Sequence, residues 1–443
     1  MSSFSPFERA ISTFLARSPS VRAKLKNIYQ RLNFLLYGER GFRLWLADGI
    51  RIATPSTIIG ADEPDPQTAE FFGYFDASPW SANGRHYVVN QTKDIETSTD
   101  IVLYDLEAKT RERVGSSPVA TWQQGTMCRW LAHDDHEYLA YNTVRANVLG
   151  TRLFSPTTRQ ERFLPLPLQA INEKHGKLYA INYLRLYRNG TEYGYYTPCT
   201  NLSVDTPDDK DGIWSVDLDS ENAGLIVSLE QLRGLDPTPQ LRSAASHEVN
   251  HLSVAPDGRH FVFVHRFRGS KGQLSRLYAC KYDGSNLRLL LDEQMVSHYA
   301  WLDSEHLIAW ARTHAHGDRY YLVNSRSGAT KPFPADESIN QWGDGHPSHH
   351  HTSGHIVTDS YPDRKRQQHL FLIIHGNHSQ EIARFLLPLQ FSSADRIDLH
   401  PRWRPDGKTL SIDSGYTGVR RNYLLDVSSI TTTAPGTDWR NHG

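Results

Sequence analysis

Four histidines occupy equivalent places in four successive copies of one repeat: His251 in NHLSVAPDGRHFVFVH, His298 in SHYAWLDSEHLIAWA, His346 in GHPSHHHTSGHIVTD and His400 in LHPRWRPDGKTLSID. Neutral imidazole is the commonest side-chain metal ligand, and several converging on one point would hold a divalent ion, Zn or Mn, at about 2.0–2.1 Å. An isolated histidine more often caps a strand through a hydrogen bond to its neighbour. Four in one register point to a metal instead. The adjacent His349, His350 and His351 make a weaker set, because neighbours on a strand face opposite sides.

The register follows from the turns. Asp257 and Gly258 follow His251 at the same offset as Asp406 and Gly407 follow His400, and thirteen residues beyond His346 and His400 stand Asp359 and Asp413, each followed by serine. The steps between the histidines are 47, 48 and 54 residues, close to the roughly 40–50 residues of a four-stranded propeller blade. In each copy an Asp-Gly type turn leads into an apolar run such as Phe261 to Val264 or Leu410 to Ile412. A second strand follows, as at Tyr278 to Tyr282 or Tyr423 to Asp426.

Weaker copies precede these. YFDASPWSANGRHYVV with DIVLYDLEAKT, WQQGTMCRWLAHDDHEYLAYN, and LYAINYLRLYR with GIWSVDLDS supply three more blades, the third interrupted by a polar insertion around residues 189–211. The expected fold is all-β: a seven-bladed β-propeller over residues 70–430, with a basic helical extension over 1–60 and a polar tail over 431–443. Aligned through Trp80 and Trp130, the histidine column holds Ala77 and Met127 in the early blades. Histidine is therefore not a requirement of the repeat itself.

The 443 residues, 38% hydrophobic and 11% aromatic, suffice for one large core. A net charge of −1 gives no sign of nucleic acid binding. Cys128, Cys199 and Cys280 are odd in number and far apart, which suits a reducing compartment better than a disulfide framework. With no apolar signal region, the expected location is the cytoplasm.

The first 45 residues carry eight Lys or Arg against two Glu, and Val21, Leu25, Ile28, Leu32 and Leu35 recur at spacings of four and three. That pattern predicts a helix over about Ser20 to Leu36, capped from Ser18 to Ser20. Two readings of its apolar stripe stand: a peripheral contact of residues 18–37 with the inner face of the membrane, or packing against the propeller.

The segments FFGYFDASPW, TWQQGTMCRW, NHLSVAPDG, MVSHYAWLD, DGH followed by TDSYPD, and DLHPRW resemble signatures of propellers related to ulvan lyases and, more distantly, oligogalacturonate lyases. The resemblance runs from about Glu70 to Ser428. It implies a seven-bladed propeller that cleaves uronic-acid polysaccharides by β-elimination, with a divalent metal and with His, Tyr and Arg in the site.

β-Elimination beside a uronate carboxylate needs a group that neutralises the carboxylate, a base for the C5 proton and an acid for the leaving oxygen. Arginine matches a carboxylate with its fork, and histidine or tyrosine can move protons. The candidates are Arg185 in INYLRLYR, Tyr195 in EYGYY, His265 and Arg266 in FVHRF, and Arg402 in HPRW. The chain departs from the lyases in its early blades, where histidines are expected and Trp122-Gln123-Gln124-Gly125 and Tyr141-Asn142 stand instead. Three functions compete: a lyase on oligo- or polysaccharides, a glycan-binding propeller without catalysis, and an interaction scaffold. A fused hydrolase is not expected, since no GxSxG elbow occurs.

Overall fold

The computed structural model describes residues 19–269, 272–334, 337–374 and 378–432. Its strands form seven sheets around one axis, a seven-bladed β-propeller. Most of the extension's first half and nearly all of the polar tail lie outside the described residues.

Blade 1 uses strands Ala69–Phe71, His86–Asp94, Ser98–Asp105 and Thr110–Ser117, and blades 2 to 5 repeat the arrangement in chain order. Blade 7 is completed from the other end of the chain: Arg51–Ala53 pairs antiparallel with Arg421–Asp426 as its outermost strand. Leu44–Leu46 adds a fifth, outer strand to blade 6. The helical extension therefore ends earlier than residue 60, because the chain from Leu44 onward contributes to two blades.

The turns between the first and second strands explain why the repeat is legible. Gly84, Gly258 and Gly407 take left-handed backbone angles (φ +73°, +73° and +66°), a conformation that glycine adopts without penalty. Just ahead of each, Asn83, Asp257 or Asp406 accepts the backbone N–H two residues on, at 3.0, 3.0 and 2.8 Å. The tryptophan column joins the blades. The indoles of Trp130, Trp301 and Trp403 donate to Pro79 O, Ser253 Oγ and Ser348 O of the preceding blade at 3.0–3.1 Å.

Ring closure uses charge as well as strand pairing. Buried Asp413 of blade 7 accepts the backbone N–H groups of Phe72 and Gly73 from blade 1 at 3.0 and 3.1 Å, and it pairs with buried Arg402 at 2.9 Å. The Arg402 guanidinium also donates to the carbonyls of Gly73 and Tyr74. Arg402, expected from the sequence to touch substrate, is thus engaged through Nε and Nη2 by the seam between the first and last blades, while its buried Nη1 has no hydrogen-bonding partner. Replacing it with alanine would strand Asp413 in the interior, at a cost of about 3–5 kcal/mol. Arg402→Ala should accordingly lower the melting temperature. A variant that melts like the parent but has lost turnover would return Arg402 to the chemistry.

One helix, α1 (Pro19–Tyr37), precedes the propeller, close to the expected span. From Ile28 onward, where its side chains are described, its apolar stripe is not covered by the blades. Ile28, Leu32, Leu35 and Leu36 are all exposed, while Asn33 is the buried residue of that stretch.

Candidate active site

The four column histidines converge at one end of the central channel, and all four are buried. Ring centroids of His298 and His346 lie 4.2 Å apart, those of His346 and His400 4.3 Å, and those of His251 and His298 5.9 Å. Local backbone helps to aim them. His251 and His400 adopt left-handed φ of 54° and 48°, as does Met127 (58°) in the same column of blade 2. Such angles are costly for residues with a Cβ and persist only where the surroundings impose them. Tyr74 and Phe75 of the loop after the first strand fill the centre: Tyr74 stacks on His251 at 4.9 Å, and Phe75 lies 5.3 Å from His346.

Three of the imidazoles are held by the same device. His298 Nδ1 meets Asp344 at 3.1 Å, His346 Nδ1 meets Asp359 at 2.8 Å, and His400 Nδ1 donates to Gly73 O at 2.7 Å. An acceptor at Nδ1 fixes the tautomer and turns Nε2, with its lone pair, into a ligand. His400 Nε2 is buried and has no hydrogen-bonding partner. Ligand atoms of His346, Asp398 and His400 lie within 4.8 Å of one another. Asp398 is itself oriented by Arg396, whose Nε and Nη2 contact it at 2.8–2.9 Å.

Electrostatics treat the histidines of the site differently. Burial pulls His298 and His400 below the ordinary histidine value, so both are neutral at pH 7. Burial pulls His346 in the same direction, but the Asp359 carboxylate beside it outweighs burial and raises its pKa. Asp398 shows the converse: burial favours its neutral acid, yet the charge and hydrogen bonds of Arg396 keep it below the usual carboxylate range. Two nitrogens and one carboxylate, from His346, His400 and Asp398, around one space fit a divalent ion such as Zn or Mn, with the His298 ring 4.2 Å from that of His346.

His251 is set apart. Arg266 donates to its Nε2 at 2.6 Å and the Tyr74 hydroxyl lies 3.2 Å from the same atom, so the lone pair that a metal would need is taken. Asp398 joins the donor set in its place. Sequence reasoning missed this residue, which stands two positions before His400 in the loop that leads into the strand Arg402–Trp403.

Of the groups expected to handle the uronate, only Arg266 reaches this end of the channel unsaturated by carboxylates. Arg185 is instead buried in a clamp with Asp211 (2.6 Å) and Asp208 (3.0 Å) at the base of the blade 3 insertion. Tyr195 is buried, stacked on Tyr183 at 4.5 Å, and belongs to the core between blades. His265 follows alternation to the opposite face of its strand from Arg266, where it pairs with His247 at 3.1 Å beside Phe267 and Tyr278. These three are structural.

The insertion does deliver a tyrosine, but it is Tyr193. Its ring lies edge-on to His251 at 5.5 Å, with the Arg266 guanidinium 5.4 Å above it. Burial, partly opposed by Arg266, pushes its hydroxyl up to about 12, so it keeps its proton. Tyr361 lies 5.7 Å from His346 and under Arg396 at 5.1 Å. The early-blade segment is buried. Gln123 donates to Arg396 O at 2.9 Å, and Arg420 packs over Trp122 at 4.4 Å. Asn142 pins blade 2 to blade 3 through both the N–H and the carbonyl of Leu168.

The chain matches solved propellers. It is similar to an oligogalacturonate lyase in complex with manganese (15% identity over 88% of this chain and 98% of that one, TM-score 0.60). It is also similar to an oligogalacturonate lyase from Vibrio parahaemolyticus (13% identity, 87% and 96% coverage, TM-score 0.57). At these identities the likeness establishes the seven-bladed fold. No protein-family model matches the chain, and no curated protein does. The ulvan lyase resemblance rests on the sequence segments alone.

Proposed function

We propose that this chain is a metal-dependent lyase that cleaves uronic-acid-containing oligo- or polysaccharides by β-elimination. The observation that carries the reading is the meeting, at one end of the channel, of a His346, His400 and Asp398 donor set, with His298 beside it, and Arg266, His251 and Tyr193. The neighbouring lyase structure that holds manganese supports the choice of a divalent ion. A bound ion would supply positive charge to the uronate carboxylate and so make the C5 proton acidic.

The chain's own residues account for the other requirements. Arg266 presents a fork matched to a carboxylate and rests, without substrate, on His251 Nε2. An incoming carboxylate that draws the guanidinium to itself uncovers that lone pair. Burial and the charge of Arg266 hold His251 well below the ordinary histidine value, so it is neutral and able to accept a proton. His251 takes the C5 proton, the C4–O bond breaks as the C4=C5 double bond forms, and Tyr193 gives its proton to the leaving oxygen. Three unpaired cysteines support a cytoplasmic setting.

The decisive experiment incubates the protein with a panel of uronate-containing glycans, with added Mn or Zn and with chelator, and follows the ultraviolet absorbance of the unsaturated product. Metal-dependent product formation is expected. A second reading, glycan binding without turnover, is favoured by Gln123, Gln124 and Asn142 where the lyases are expected to carry histidines. Binding to the same panel with no unsaturated product in any metal would establish it.

A further inference from the structure

We propose that α1 docks this protein on an anionic lipid surface and does so at the end of the propeller that carries the candidate active site. Ile28, Leu32, Leu35 and Leu36, separated by four, three and one residues, form an apolar stripe that is 54–79% exposed. Exposed Tyr37 and Trp45 flank its C-terminal end, as amphipathic aromatic rings do at a membrane interface. No helix among the described residues is long and apolar enough to cross a membrane. A stripe of this kind would lie along the surface.

Charge selects the occupant. The helix PSVRAKLKNIYQRLNFLLY contains Arg22, Lys24, Lys26 and Arg31 and no acidic residue, and Arg40 and Arg43 follow, both exposed. A second copy of this helix would set like charges against one another. Lipid phosphates would neutralise them, each Lys or Arg near the surface adding about 1 kcal/mol of attraction. The rest of the chain is net acidic, so the same surface repels the body of the protein and favours contact through this end.

The topology sets the orientation. Leu44 pairs with Phe385 near the end of the outer strand His378–Leu386, after which the chain runs on toward Asp398 and His400. Glu39 forms an ion pair with Lys365, in the same inter-strand loop as Tyr361, which packs against His346. The helix thus leaves the propeller at the end that carries the site, and docking would turn that end toward the lipid headgroups.

The test uses the full chain and sedimentation with vesicles of phosphatidylcholine alone or mixed with phosphatidylglycerol, at low and high salt. Binding is expected to the anionic vesicles, at least about tenfold weaker to neutral ones, and weaker as salt rises. The double variant Leu32→Glu, Leu35→Glu should lose about a hundredfold in partitioning, roughly tenfold per leucine withdrawn from the interface. Because both side chains are exposed, its melting temperature should match the parent's. No binding to anionic vesicles, or binding indifferent to the two substitutions, overturns the proposal. So does a self-association that the same substitutions abolish in a protein that ignores vesicles. None of these readouts uses glycan turnover, so failure here leaves the lyase reading intact.

Discussion

His346→Ala and His400→Ala are each expected to abolish stoichiometric binding of Mn or Zn and, with it, product formation. The parent protein, stripped and then titrated, should take up about one equivalent at the buried His346, Asp398 and His400 set. Metal at a hundred times its dissociation constant should stabilise the parent by about 2.7 kcal/mol, because only the folded chain holds the ligands together. The same addition should leave both variants unmoved. This difference separates a ligand from a packing residue, whose loss would lower the metal-free melting temperature and leave the response to metal unchanged. Asp398→Asn tests the carboxylate that replaces His251 in the set, and a similar loss of metal is expected. A parent protein that binds no ion and melts identically with and without metal would sink the metal centre.

Arg266→Ala is expected to lower kcat by about 10²–10³, the usual cost of deleting a group aimed at developing charge. Two roles end together: the hold on the substrate carboxylate, and the cover over His251 Nε2. Lysine should not restore the rate, because a point charge cannot reproduce a two-pronged contact. Tyr193→Phe should leave glycan affinity nearly unchanged while removing product, since only the hydroxyl proton is lost. Arg185→Ala and Tyr195→Phe, by contrast, should register mainly in thermal stability, as their partners are Asp208, Asp211 and the inter-blade core. Full turnover in Arg266→Ala and Tyr193→Phe would place the chemistry elsewhere in the channel.

What the sequence determined by itself was everything that depends on neighbouring residues: the blade period, the Asp-Gly turns, the tryptophan column and the shared register of His251, His298, His346 and His400. These are legible because a turn and a strand each impose a local backbone pattern that recurs wherever the blade recurs. The amphipathic helix was legible for the same reason, but whether its stripe was covered was not, because that depends on what lies opposite. Only the tertiary structure decided which polar groups remain free to act. Arg185 has the right chemistry, yet carboxylates and carbonyls from other segments already occupy it, and the seam between the first and last blades holds Arg402 through Nε and Nη2. His251 lost its place among the ligands to a guanidinium on the adjoining strand, and Asp398 gained one. Tyr193 rather than Tyr195 reached the channel because the insertion folds Tyr195 inward against Tyr183. A buried polar side chain must be satisfied, and folding chooses its partner from the whole chain. Residue type and spacing can nominate a ligand or an acid, but availability is set by contacts between segments far apart in sequence.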